Sequence, residues 1–503
     1  VRPSSPSTPR PRPPARALAA LVAASAGLAL AAGTAVPAAA APADPGLARK
    51  LASVMADSRV QRADSATVVL DAGSGATLYD RGGGRALVPA SNTKSLTAAA
   101  AMDVLGPSYR FKTEVFRRGT VVRGAVQGRL YLKGYGDPTT RESDYRSLAR
   151  QVRAAGITRV TGRLAVDASY FDTQRYNPGW STGYADDYYA AEISALTVAP
   201  NADLDSGTVL VHYAPGERGA GAKITTTPAA AARHLRIVNR TTTGPSSSSS
   251  TVAVRRSHGS GTITVSGRVP LGRARASTLV TVHRPDLYAA AVFRAELAKA
   301  GVVVEGGTVV VATPASQRTR LARDTSMPLA ELLVPFLKLS NNMHAEALTK
   351  AMGARSGKPG SWSTGLAATR RYLKGLGVPM GGVSLTDGSG LTRRNTVTAR
   401  ALARTLLEVR REPWFAAFDR ALPVAGDSRR MVGGTLRSRM TGTRAAGNAH
   451  AKTGTLTGVT ALSGYVTGRD GRRYVFAMIS NHAGTSPRPV EDRLVTTLAG
   501  WRR

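Results

Sequence analysis

The chain has 503 residues, too many for one ordinary core, so two or three domains are expected. Its 42% hydrophobic and 20% charged residues suit a folded globular protein and argue against disorder. The absence of cysteine excludes disulfides, thiol catalysis and cysteine-ligated zinc, while a formal net charge of +36 favours contact with polyanions.

Arg2, Arg10, Arg12 and Arg16 lie in a Pro-rich lead, followed by an apolar run from Ala17 to Ala32 and small residues through Ala43. This is the layout of a secretory signal, expected with its linker over 1–43, and Ala40, Ala41 and Ala43 are equivalent cleavage positions. The run is shorter than the ~20 apolar residues a span needs, which favours cleavage over an uncleaved anchor. Export makes an anionic cell wall a more natural polyanion than nucleic acid, for which no recognised module or aromatic-basic platform is present. The basic residues are dispersed, however, and an arginine-rich proteome would leave the same surplus. The seven histidines show no metal spacing such as H-E-x-x-H, and neither metal nor cofactor is expected.

Leu47, Leu51 and Met55 recur at helical spacing within 44–64. Ala66–Leu70 and Ala76–Tyr79 read as strands joined across Asp71-Ala72-Gly73-Ser74-Gly75. Ser91 opens an apolar helix that runs to about Leu105 and is closed by Gly106-Pro107. From about 112 to 326 short β-rich runs alternate with turns, and the Ser/Thr tract Thr241–Thr251 is expected as an exposed loop. Helices return at Leu329–Leu339, Met343–Met352, Leu366–Leu376 and Ala399–Val409; a hairpin over Tyr465–Ile479 and a helix over Glu491–Trp501 close the chain. The simplest architecture is one α/β (α+β) catalytic domain over 44–112 plus 327–503, interrupted by two β-rich insert domains. One covers 113–135 plus 216–326; the other, nested within it, covers 136–215.

Three short motifs carry chemistry. Ser91-Asn92-Thr93-Lys94 places a hydroxyl and an amine three residues apart, on one face of a helix start. Serine needs an adjacent base, and a lysine serves when burial or nearby positive charge lowers its pKa. Ser340-Asn341-Asn342 sits between two helices and sets a hydroxyl two residues from an amide, a pair suited to proton relay and to orienting a carbonyl. Lys452-Thr453-Gly454-Thr455 precedes the hairpin; on a strand Lys452 and Gly454 share one face and Thr453 and Thr455 the other, with glycine leaving room for a ligand backbone. Each motif alone is weak: a helix cap, a polar turn and a turn lead-in explain them equally well.

Together, in the order S-x-x-K, S-x-N, K-T-G, they resemble the signature of penicillin-binding proteins and serine β-lactamases. Ser91 and Ser340 stand 249 residues apart. With Leu132-Lys133-Gly134-Tyr135-Gly136-Asp137-Pro138 and Asp387-Gly388-Ser389-Gly390-Leu391, that spacing makes the chain similar to class C low-molecular-mass penicillin-binding proteins, the D-alanyl-D-alanine carboxypeptidase/endopeptidase family, from about residue 45 to the end.

The resemblance implies a serine β-lactamase/transpeptidase-like fold and an acyl-enzyme cycle on peptidoglycan stem peptides, with β-lactams as covalent inhibitors. Ser91 would be the nucleophile, Lys94 its base, Ser340 and Lys452 the proton relay, and Asn342 the group that orients the substrate amide. Thr453, Gly454, Thr455 and Leu456 would bind substrate. Arg393, Asp186 and Tyr189, with Trp180 nearby, would line a pocket for the peptide's side chain. The protein would act outside the cytoplasm, at the wall, and self-association stays open. Two rivals remain. A serine β-lactamase would need an acid-activated water, and no E-x-x-L-N motif lies between Ser340 and Lys452. A non-catalytic wall binder would have no need of Ser91 and Lys94.

Overall fold

A computed structural model describes residues 44–502; the expected leader over 1–43 lies outside the described residues. Residues from the two ends of the chain meet in one antiparallel sheet. Its strands are β1 (Asp64–Asp71), β2 (Thr77–Arg81), β3 (His450–Leu456), β4 (Val459–Thr467) and β5 (Arg473–Asn481), in the order β3-β4-β5-β1-β2. The hairpin expected at Asp71–Gly75 is present, and Asp71 caps it by accepting hydrogen bonds from the amides of Gly73 and Ser74.

Residues Ser65 to Leu70 of β1 are buried without a break, because helices cover both faces of the sheet. On one face lie α1 (Pro45–Met55) and α7 (Arg488–Gly500), whose Leu47, Leu51, Leu494 and Leu498 pack with Val69, Phe476 and Met478. On the other lie α2 (Thr93–Val104), α3 (Leu329–Lys338), α4 (Asn342–Ala354), α5 (Trp362–Gly375) and α6 (Ala399–Glu408). Their apolar residues join Ala66, Val68 and Leu70 in the largest core cluster. Each of these helices stands within a few residues of the stretch the apolar periodicity predicts.

Between Lys112 and Thr325 the chain builds a second core. A seven-stranded sheet pairs Lys112–Val122, Ala125–Gly134, Arg159–Val160, Leu164–Asp167, Val303–Val304, Thr308–Val310 and Thr319–Thr325. The boundaries drawn from sequence cut across it. Arg159–Val160 and Leu164–Asp167 fall in the expected nested stretch 136–215, yet both pair with Ala125–Gly134, which was expected outside it. Likewise Thr208–Ala214 pairs with Lys223–Thr227 and Ala276–Thr281 across the 215/216 border. Hydrogen bonds between strands therefore cross both of the borders expected from sequence.

Two helices here went unread, Glu142–Ala154 and Pro285–Lys299. The second is buried around most of its circumference, with Asp286 and Glu296 enclosed alongside Tyr288, Val292 and Phe293, so it shows no apolar stripe. The expected loop Thr241–Thr251 also needs correction: Thr241–Gly244 complete the strand Arg236–Gly244 and pair with Thr262–Pro270.

Helices α4 and α5 pack at glycine contact. A Cβ at Gly365 would stand 1.9 Å from the carbonyl oxygen of Thr349, inside any real contact distance. Alanine improves intrinsic helix propensity by about 1 kcal/mol, so sterics and propensity oppose each other. Overpacking dominates here, and Gly365→Ala should lower stability by about 1–3 kcal/mol. A thermal melt tests this; an unchanged or raised Tm would contradict the close approach.

Candidate active site

Ser91 sits in a short 3-10 turn, Ala90–Asn92, that runs straight into α2. Ala90 just before it has φ 47°, a left-handed conformation that costs a non-glycine residue of order 1–3 kcal/mol and is held by the surrounding packing. One helical turn brings the Lys94 ammonium under the serine. Lys94 is fully buried, and its Nζ donates to Ser91 Oγ at 2.9 Å, Asn342 Oδ1 at 2.6 Å and the Ser389 carbonyl at 2.8 Å. Burial pulls its pKa down to about 7, against the opposing pull of the Asp387 and Glu346 carboxylates. A lysine so placed is near half neutral at physiological pH, the state in which it accepts a proton from Ser91.

The second motif occupies the break between α3 and α4. Ser340 has φ 58°, so the chain turns sharply there. Asn341 caps α4, accepting from the His344 amide at 3.2 Å, which assigns the middle residue of this motif a structural task. Asn342 then faces inward, with Oδ1 toward Lys94 and Nδ2 donating to the Tyr189 carbonyl at 2.8 Å.

The third motif lies on β3, whose described strand partner is β4 alone. As the alternation predicts, Lys452 and Gly454 are buried while Thr453 and Thr455 are more open. Lys452 Nζ donates to Ser340 Oγ and to the Thr453 carbonyl, both at 2.8 Å. Burial, and then the positive charge of Lys94, hold its pKa well below the usual lysine value. At its start the outer edge of β3 is covered, the Ala451 amide donating to the Pro423 carbonyl at 2.9 Å; beyond Ala451 that edge has no strand partner among the described residues, as an added peptide strand requires. Thr453 donates to Thr435 Oγ1 at 2.8 Å, and Thr455 accepts from Arg488 at 3.2 Å.

A Cβ at Gly454 would stand 2.6 Å from the Pro89 carbonyl oxygen, so glycine here also admits the turn that carries Ser91. The pocket residues separate. Arg393 reaches the Thr457 carbonyl, beside the half-buried Leu456. Asp186 turns elsewhere, to Arg255 at 3.3 Å. Trp180 is 5% exposed and donates to Asp387 Oδ2 at 2.9 Å, so it belongs to the core and not to an open wall. Tyr189 reaches the site through its carbonyl, while its hydroxyl donates to Asp187 at 2.7 Å.

Sequence reasoning missed Glu346. This buried carboxylate accepts from the amides of Gly388 at 3.0 Å and Ser389 at 2.8 Å and from the Trp362 indole at 2.7 Å. It thereby fixes the Ser389 peptide whose carbonyl holds Lys94. Burial and the neighbouring Asp387 raise its pKa to about 7. The stretch Asp387–Leu391 stood out in the sequence, but its hold on Lys94 runs through a main-chain oxygen and leaves no side-chain signature.

The family model described as "D-Ala-D-Ala carboxypeptidase 3 (S13) family" matches residues 47–500. The chain belongs to that family. It is therefore a serine peptidase, a hydrolase. Among its curated relatives, a D-alanyl-D-alanine carboxypeptidase of Actinomadura sp. (strain R39) is 41% identical over 453 residues, 89% of this chain and 84% of the relative. Carboxypeptidase DacB of Mycolicibacterium smegmatis is 30% identical over 451 residues, 86% of this chain and 79% of the relative. The crystal structure of penicillin binding protein 4 (dacB) from Haemophilus influenzae superposes with TM-score 0.77 at 24% identity, covering 90% of this chain and 99% of that one. The transpeptidase-like fold read from the three S13 motifs is thus the fold observed.

Should a neutral Lys94 amine take the serine proton, acylation of Ser91 by a β-lactam would rise about tenfold per pH unit up to about pH 7 and level off above it. Glu346→Gln removes a negative charge that favours cationic Lys94 and should move this inflection to lower pH. Stopped-flow acylation across about pH 5–9 reads both; an inflection unmoved in the variant would leave Glu346 with packing alone.

Proposed function

We propose that the protein is a secreted, wall-associated hydrolase that cleaves the bond between two D-alanines at the end of peptidoglycan stem peptides. The observation that carries the reading is the buried Lys94 Nζ at 2.9 Å from Ser91 Oγ, its pKa lowered to about 7. Ser91 Oγ attacks the carbonyl carbon while its proton passes to Lys94. The resulting oxyanion is met by the backbone N–H groups of Ser91 and Thr455. As the C–N bond breaks, the leaving amine takes a proton by way of Ser340, with Lys452 behind it. The acyl group stays on Ser91 as an ester until water releases it as the acid and restores the hydroxyl.

Thr453 and Thr455, with Lys452, receive the terminal carboxylate, and the extended peptide lies along the free edge of β3. Asn342 serves both sides, holding Lys94 through its oxygen and aligning the substrate amide. Arg393 and Leu456 border the place of the substrate's side chain. A β-lactam enters as a mimic of the D-alanyl bond and leaves Ser91 slowly.

Fluorescent penicillin and intact mass test the reading on the purified chain. One stable adduct is expected on the parent and none on Ser91→Ala. Lys94→Ala should slow acylation by about 10²–10⁴-fold while leaving the fold intact. The parent should also release D-alanine from a peptide ending in two D-alanines. A folded parent that takes no label would refute the mechanism; an adduct that clears within seconds would make it a β-lactamase.

A further inference from the structure

Between Thr208 and Thr281 the chain carries ten arginines and lysines, nine of them arginine, against a single acidic residue, Glu217. Much of this segment forms a three-stranded sheet of Arg236–Gly244, Ala253–Arg256 and Thr262–Pro270, with Thr262–Pro270 in the middle. Ile263, Val265 and Val254 of this sheet are buried in the insert's core. Side chains alternate along a strand, so Thr262, Thr264, Ser266 and Arg268 point to the opposite face. The register puts Arg236 beside Thr262, Arg240 beside Ser266 and Arg255 beside Thr264 on that same face. Arg236, Arg240, Arg255 and Arg268 are all exposed. The outward face therefore presents guanidinium groups among hydroxyls, and none of its three strands contributes a carboxylate. Of the four arginines, Arg255 alone has an ion pair among the described residues, with Asp186.

Unpaired like charges gathered on one face repel each other, and a polyanion converts that repulsion into attraction while releasing its counterions. The choice of arginine is informative, because its planar fork meets phosphate oxygens in pairs and neighbouring hydroxyls add further donors. No pocket draws the cations together. Arg236 and Arg240 are four residues apart on one strand, about 13 Å, which suits successive charges of a chain better than one compact anion. One edge of the face also borders the active site: Asp186, the partner of Arg255, lies three residues before Tyr189, whose carbonyl braces Asn342.

We propose that this sheet face docks a phosphodiester polymer of the cell envelope and holds the enzyme against the wall it cuts. The interaction is independent of the chemistry at Ser91.

The test titrates the full chain with linear inorganic polyphosphate at rising salt. Arg236→Gln/Arg240→Gln/Arg268→Gln should lose at least about tenfold in affinity near 0.1 M salt, with a log–log salt slope shallower by about two to three. A control triple, Lys358→Gln/Arg371→Gln/Lys374→Gln, removes the same charge from exposed positions in and just before α5 and should change affinity less than about twofold. Equal losses in the two triples would overturn the proposal and assign binding to bulk charge. In a second arm, the parent should sediment with insoluble wall and remain in solution once phosphodiester polymers are stripped from it by acid. Undiminished binding to stripped wall would overturn phosphate as the ligand. Penicillin labelling of Ser91 in both triples reports that they fold, and its failure in the parent would strike the enzymatic reading alone.

Discussion

The site depends on one fully buried amine. Lys94 is taken out of water entirely and given three oxygen partners, Ser91 Oγ, Asn342 Oδ1 and the Ser389 carbonyl. A buried ammonium is costly unless it is paired, and here the formal negative charges of Asp387 and Glu346 offset only part of that cost. The balance leaves the amine close to neutrality at the pH where it must act. More negative charge nearby would raise the pKa of Lys94 and hold it as a cation; less would lower that pKa further.

The insertion does more than decorate this centre. Its segment from 170 to 205 supplies oxygens and donors at the back of the catalytic helices. The Leu204 carbonyl accepts from Asn341 Nδ2 at 3.2 Å and lies 3.0 Å from His344 Nε2. Burial keeps His344 neutral, its pKa near 4, so this contact carries no charge. Lys350 of α4 reaches the Asp172 carboxylate at 2.5 Å and the Gln174 carbonyl at 2.6 Å. With Trp180 on Asp387 and the Tyr189 carbonyl on Asn342, the insertion braces the second motif and the loop that holds the base. That bracing explains how an α4 start carrying a left-handed serine keeps one geometry.

Those parts of the site whose logic is local were legible in the sequence. Ser91 and Lys94 meet because they are one helical turn apart, and Lys452 separates from Thr453 because a strand alternates. Glu346 was not legible, since it acts on a peptide 43 residues away through backbone amides. The partner of Asp186 was not legible for the matching reason: nothing in its own neighbourhood announces Arg255, 69 residues on. Among the helices, Glu142–Ala154 does carry a readable stripe in Tyr145, Leu148, Ala149 and Val152, masked by the β-rich texture around it. Pro285–Lys299 carries none. Which strands pair across the expected domain borders could not be told from composition, because the partners lie far apart in the chain.

The central sheet is closed by residues that the chain delivers last. Ser65 of β1 shares a hydrogen bond with Ser480, 415 positions later, and β3, which carries Lys452, comes only after the whole insertion. Pairing them closes a loop of 415 residues, whereas the insertion's strands pair among themselves between Lys112 and Thr325. A chain interrupted between Lys94 and His450 holds Ser91 and Lys94 but lacks the strand that carries Lys452. The serine and its neighbouring amine are thus made long before the third motif, and the three stand together only in a chain carried past Leu456.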